Sequence, residues 1–431
     1  MQTTLPENYH RFQDILSDRD LAALFNKYGV QDLRQRKLPV YHFFWLVILS
    51  AAEPTARSCL LSLIGFFIGA GVGLAQPVTR LSKTALSKRF KQVSWYLFRG
   101  VYQHLLTQYR AILPASQLQG LARFKDIVAI DGSVISLCQR LAPIFASVHQ
   151  NMASLKLNVK YSLHLEVVTK LQVSSGKRHD SRFSAVSQAA AYLYLVDLGY
   201  WSFKLMQKIM AAHSFFVMRL KSSCDPLIVK VNQPDCHHLI GQRLSAIRAW
   251  LSDSGQDPLD LTVQLSQAKK PRFTAEIRLV GLWHEGQWHF YVTNLFDPAF
   301  TPALIYQLYA LRWQVELFFN VIKNLLGLGH LISHQKNGLM IEIYAALILH
   351  LLTRIVIALA ARKSGQPIHQ FSVDRSFKLI KGFLLTNLHL FFRRSLQALE
   401  TLFAALIDSI SHMGLRQKSS AMIQVSQQLA P

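Results

Sequence analysis

The first 120 residues place apolar side chains at three- and four-residue spacing without strand-like alternation. That pattern predicts helices over 21–28, 41–52, 58–70 and 95–113. From Lys125 the texture changes: IVAIDGSVISL, YSLHLEVV and KLQVSS are short β-branched runs, which predict three successive strands. A helical stretch over 181–192, a short apolar strand over 193–196, a helix over 202–213 and the strand FFVMRLK follow. LDLTVQLS, FTAEIRLVGLW and QWHFYVTNL then predict further strands. After Pro302 a helical pattern runs to about residue 328, with more helices to about residue 410. The tail LRQKSSAMIQVSQQLAP lacks apolar periodicity and reads as loose chain.

Three strands, then helix, strand, helix, strand, is the order of an α/β core of RNase H-like (retroviral integrase-like) type. The expected organisation is a helical N-terminal DNA-binding domain (1–120), a first part of the catalytic core (121–221) and an inserted β subdomain (222–300). A returning core helix (301–330) and a helical C-terminal region (331–431) complete it. Within the leader, GLAQPVTRLSKTALSKRFKQ resembles a helix-turn-helix. Ser82 is placed to cap its second helix, and Lys83, Lys88 and Arg89 are placed to meet DNA. The alternative for that stretch is a solvated basic face.

Asp131 stands where an apolar strand meets Gly132-Ser133, and Asp197 where another meets Gly199, so both carboxylates are expected at strand ends. One such Asp alone is an ordinary turn former; the pair in this context is a candidate site. In YALRWQVELFFNVIK, residues Tyr309, Arg312, Glu316 and Lys323 follow at spacings of three, four and seven, which puts all four on one helical face. Trp313 reads as a packing residue. His179 and Asp180 sit beside another strand end as supporting candidates.

Taken together these residues resemble the transposases of the insertion sequence four family, marked by an Asp-Asp-Glu triad whose Glu lies in a Tyr-x2-Arg-x3-Glu-x6-Lys signature. Tyr309, Arg312, Glu316 and Lys323 match that signature position for position. Leu198 departs from it, since the family more often has a basic residue after the second Asp. The resemblance implies that Asp131, Asp197 and Glu316 bind two Mg²⁺ ions, with Mn²⁺ able to substitute, for cleavage and transfer of DNA strands. Hard oxygen ligands suit such ions, one activating water or a 3′-hydroxyl and the other stabilising the leaving oxygen. It implies DNA contacts from Tyr309, Arg312 and Lys323, and double-stranded DNA partners in the form of terminal inverted repeats and a target. A dimer is expected in the synaptic complex. Cut-and-paste movement through a hairpin would ask for an aromatic to receive an unstacked base, for which Trp283 and Trp288 are candidates beside their alternative as core residues.

Composition adds direction. Lys and Arg number 47 against 24 Asp and Glu, a net charge of +23 spread along 431 residues, which favours a polyanionic partner. Four scattered cysteines, without paired C-x2-C spacing, suit a reducing cytoplasm and argue against a disulfide framework or zinc site. Two apolar runs, 58–76 with Gly65, Gly69 and Gly73, and 339–361, raise a membrane alternative. Glu342, His350 and Arg354 interrupt the second and would be costly in lipid, so no membrane is expected. An RNase H-like nuclease without strand transfer is the nearest rival.

Overall fold

The computed structural model describes residues 15–430 apart from 33–37, 72–79, 114–118, 184–185, 234–235, 248–249, 252–256, 268–271 and 394–395. The leader folds into helices α1 (Asp18–Lys27), α2 (Val40–Ser50), α3 (Leu60–Gly71), α4 (Lys83–Gln92) and α5 (Trp95–Ile112). Their starts follow local chemistry. Ser17 and Asp20 close a reciprocal capping box on α1, and the Ser82 hydroxyl accepts the Ala85 amide at 3.1 Å to start α4. Gly65 and Gly69 have open space where a Cβ would project, so these glycines seat no neighbouring helix. Gly73 and the first half of the proposed helix-turn-helix lie outside the described residues.

Strands β1 (Asp126–Leu137), β2 (Ala153–Ser162) and β3 (Val167–Ser175) form an antiparallel meander; β4 (Tyr192–Val196) lies parallel to β1, and β5 (Phe215–Arg219) parallel to β4. This is the RNase H-like arrangement. Helix α6 (Phe203–Ala211) links β4 to β5 as the periodicity predicts. The helix expected over 181–192 is absent from the described residues, where a single 3-10 turn (Asp180–Arg182) is followed by irregular chain. Phe183 and Val186 are the only large apolar side chains in SRFSAVSQAAA, too few to anchor a short helix against the core.

The inserted strands β6 (Leu227–Val231), β7 (Leu259–Gln267), β8 (Phe273–His284) and β9 (Gln287–Thr293) are not a separate layer. β9 pairs antiparallel with β5, giving one nine-stranded sheet in the order β3-β2-β1-β4-β5-β9-β8-β7-β6. The helical pattern after Pro302 is broken into α7 (Pro302–Ala310) and α8 (Trp313–Asn320), followed by a π turn (Val321–Leu325). Beyond these come α9 (Lys336–Ser364), α10 (Val373–Thr386), α11 (Leu388–Arg393), α12 (Leu396–Met413) and α13 (Ala421–Gln428). The tail expected to be loose therefore ends in a docked helix: Met422 and Val425 are buried, and Gly120 lies so close to it that a Cβ there would meet the Ser426 carbonyl.

The N- and C-terminal helices, far apart in sequence, share one core against one face of the sheet, while α6 and the inserted strands bury a second core on the other. At the centre of the first core lies α9, long and apolar enough to span a bilayer but 94% buried inside the protein over its most apolar window. Its interrupting charges are paired. Arg57 meets Glu342 at 3.5 Å, and Arg354 meets Glu166, which His369 also approaches at 3.2 Å. Burial pushes the Glu166 carboxyl up, but Arg354 and His369 outweigh it and hold the group down at about 2, from an ordinary 4.5. A depressed carboxylate contributes stability that is present above its unfolded value and lost as pH falls towards its folded one. Glu166→Gln is therefore expected to cost about 3–5 kcal/mol at neutral pH. In urea titrations the deficit relative to wild type should shrink as pH drops from about 5 towards about 2; a pH-independent deficit would show that charge is not its origin.

Candidate active site

Pairing of β1 with β4 ends at Ile130 and Val196, so Asp131 and Asp197 are the next residues on two adjacent parallel strands. Asp197 lies at a strand end as expected, and its carboxylate accepts the Gly199 amide at 3.2 Å to begin a 3-10 turn. Asp131 does not: β1 continues to Leu137, hydrogen-bonded to β2 throughout. Gly132-Ser133 is no turn because the β2 edge still offers partners. What changes at Asp131 is the loss of β4 on the other side.

Glu316 arrives from α8, which packs over β1 through Val315, Phe318 and Phe319. The expected single helical face is instead built across a break, with Arg312 capping α8. From that corner its Nη1 donates to Asp131 at 3.0 Å and to Glu316 at 3.3 Å, while Nε stands 4.0 Å from Asp197. One guanidinium thus gathers all three carboxylates. Tyr309 is buried beneath it, its ring 5.9 Å from the Arg312 guanidinium carbon and 4.9 Å from Tyr291; burial pushes its hydroxyl up to about 12, so it stays protonated. Lys323 reaches farther along β1 and donates to the Val134 carbonyl at 3.1 Å. The π turn sets that reach by adding a residue to the helical turn.

Burial, opposed by the Gly132 amide and reinforced by the charge of Glu316, raises the Asp131 carboxyl from 3.8 to about 7. Arg312 alone does not neutralise the cluster. An all-oxygen donor set turned towards a common centre and short of positive charge fits hard divalent cations. Among the described residues no three such side chains are already closed into a metal cage; they are spread around Arg312.

Two side chains absent from the sequence reading support this frame. The Tyr200 hydroxyl, on the turn that Asp197 caps, donates at 2.6 Å to Asn158 of β2, the cross-strand neighbour of Gly132. A Cβ at Gly132 would lie 2.6 Å from that hydroxyl, so glycine is required for the contact. Asp180 lies beside both Gly132 and Gly199 and pairs with Lys156 at 3.0 Å, which makes it a supporting residue of the frame. The Gly-Tyr after Asp197 was the available signal for Tyr200; Asn158 had none.

Other candidates move. Arg89 is buried at 6% exposure, donating to the Leu38 carbonyl and paired with Asp32, so it holds the α1–α2 connection and is not a DNA contact. Lys83 and Lys88 are exposed on α4. Trp283 and Trp288 form a cross-strand pair on the sheet face opposite Asp131, in register with Phe290, and so cannot receive a base at the carboxylates. Trp313 is 59% exposed beside Arg312 and is not a packing residue.

Residues 122–352 match the family model described as transposase DDE domain. A probable transposase for insertion sequence element IS5377 of Geobacillus stearothermophilus is 23% identical over 87% of this chain and 90% of its own. A transposase for insertion sequence element IS231F of Bacillus thuringiensis subsp. israelensis is 22% identical over 70% of this chain and 69% of its own. The piggyBac transposase synaptic complex with hairpin DNA aligns over 96% of this chain and 87% of that one, at 10% identity and a TM-score of 0.46.

A carboxyl whose folded pKa is raised contributes stability below its unfolded value that is lost as pH rises through the folded one. Asp131→Asn is accordingly expected to stabilise the metal-free protein by on the order of 1 to 3 kcal/mol at pH 8 and by nothing near pH 4. Thermal melts at the two pH values check this; equal effects at both would remove Asp131 from the crowded cluster.

Proposed function

Because the chain belongs to the family of transposases built on the DDE domain, we propose that Asp131, Asp197 and Glu316 are the carboxylates with which it acts. As a transposase it cleaves DNA and transfers the cut strand to a new position. The observation that carries the residue assignment is the convergence of the three carboxylates on Arg312 at the point where β1 and β4 part.

The family works with divalent metal ions; here Asp131, Asp197 and Glu316 would hold two Mg²⁺. When bound, such ions activate the attacking water or 3′-hydroxyl and stabilise the leaving oxygen. The remaining work falls to this chain. β1 and the Tyr200–Asn158 contact fix Asp131 and the Asp197 turn relative to one another, so the ligands need little rearrangement. The Arg312 guanidinium would donate to a phosphate oxygen of the strand being cut; its Nε, buried 4.0 Å from Asp197, has no hydrogen-bond partner among the described residues. Lys323, held on β1 farther along, meets the next stretch of backbone, and Tyr309 supports Arg312 from below. Lys83 and Lys88 contribute to binding duplex DNA that carries the inverted repeats. Pairing of two ends by a dimer in the bacterial cytoplasm, at the nucleoid, completes the reading.

Asp131→Asn, Asp197→Asn and Glu316→Gln should each lower cleavage by several orders of magnitude while leaving end binding largely intact. Gel assays of cleavage and binding on the same duplex check both halves. Wild-type cleavage by any variant removes that residue from the site, and robust cleavage in excess chelator sinks the metal-dependent mechanism. In the same assays Lys83→Ala with Lys88→Ala should weaken binding, whereas Arg89→Ala should lower stability.

A further inference from the structure

A groove of about 590 Å³ runs along β3, the terminal strand of the sheet, between it and α5 and the start of α9. Every charged side chain lining it is a cation: Arg99, Lys170, Arg178 and Lys336. Arg99, Arg178 and Lys336 have no carboxylate partner among the described residues, and no carboxylate lines the groove. Charge alone would describe any solvated basic face. Here buried polar atoms point to a ligand as well. Gln172, Ser174 and Arg178 line the same groove; their Oε1, Oγ and Nε atoms are buried without a hydrogen-bond partner among the described residues, and Ser174 is only 8% exposed. Groups of this kind are costly unless something satisfies them.

The walls are fixed in place. Tyr102 of α5 donates to the Val168 carbonyl at 2.6 Å, and Trp95 stacks on Tyr344 of α9 at 5.7 Å. Helix α9 begins at the groove with no side-chain cap and no acidic residue in its first turn, so its positive end is unopposed. The position relative to the carboxylates follows from register: Leu171 pairs with Val159, and Val159 with Asp131, while Gln172 and Ser174 alternate to the opposite face of the sheet. Two inter-strand steps separate β3 from β1, about 10 Å.

We propose that this groove binds the sugar-phosphate backbone of duplex DNA, giving the chain a grip at the outer edge of the sheet, separate from Arg312 and Lys323. The cations meet phosphate oxygens, while the Gln172 side-chain Nε2, the Ser174 hydroxyl and the outward amides of β3 donate neutral hydrogen bonds to them. The inference rests on the reading of the chain as a DNA-cutting enzyme. The backbone belongs either to the element's end or to the target, and the chemistry is shared.

The test uses the full-length protein and its Arg99→Ala/Arg178→Ala/Lys336→Ala variant. Binding is measured across a salt series to a duplex carrying the inverted repeat beside the gene and to one of unrelated sequence. Each lost phosphate contact should flatten the dependence of log affinity on log salt by about 0.9, so the triple variant should lose about 2.7 in slope. Loss on the repeat duplex assigns the groove to the element's end. Loss confined to unrelated duplex, offered to protein already bound to repeats, assigns it to the target. An unchanged slope and affinity on both overturns the proposal. Arg99→Ala/Lys336→Ala, which alters two exposed side chains only, replaces the triple variant should that one fail to fold. Gln172→Leu should weaken binding without changing the slope while keeping the wild-type melting temperature, which separates a lost contact from general destabilisation. If wild type neither binds nor cleaves DNA, the transposase reading fails; if it does both while the variants keep its slope, only the groove is refuted.

Discussion

Gathering negative charges in a partly buried place is expensive, and the site is organised by how that cost is met. Asp131 is nearly enclosed, Glu316 raises its carboxyl further, and among the described residues only Arg312 reaches all three acids. The break between α7 and α8 then has a physical purpose. In one straight helix the Arg312 side chain would follow the helical surface; as the cap of α8 it can turn its guanidinium into the gap between the strands. Stability is sacrificed locally for a site ready to accept more positive charge.

The same problem is handled differently inside the core. Glu166 and Arg354 reinforce one another's charged states, whereas burial dominates at Arg57 and Glu342, lowering the arginine and raising the glutamate. Glu342 nevertheless accepts the Ile332 and Ser333 amides at 3.0 and 2.8 Å, fastening the chain that leads from the π turn into α9. The polar residues interrupting an otherwise apolar helix are thus its attachment points: one ties α9 to the leader and the post-signature loop, the other to the β2–β3 turn.

Much of this was legible in the sequence because it rests on short-range pattern. Runs of β-branched residues marked β1, β3, β4 and β5, whereas the run over 161–168 read as a strand is the end of β2, the following turn and the start of β3; the Tyr309, Arg312, Glu316 and Lys323 spacing marked the candidate site. What escaped depends on partners distant in sequence. No local signal indicates that β1 continues past Asp131, since β2 supplies the reason, or that β9 joins β5. Arg89 looks like any basic helix residue until Asp32 and Leu38 surround it. Trp283 and Trp288 failed as base receivers on parity alone, because strand register decides which face a side chain occupies. The tail helix has little apolar pattern of its own and is defined by the surface it covers at Gly120.

The unbroken sheet also determines where the molecule can bend. Eight hydrogen-bonded interfaces run from β3 to β6, so the inserted strands are a stiff extension of the floor beneath the carboxylates and cannot swing over the DNA as an independent lid. Compliance is left to the joints above that floor, the corner at Leu311-Arg312 and the π turn at Val321–Leu325. These are the two places where Arg312 and Lys323 are mounted. The acids Asp131 and Asp197 therefore sit on a rigid bed and the two cations on helix joints, so any adjustment between them is a matter of those joints and not of domain closure.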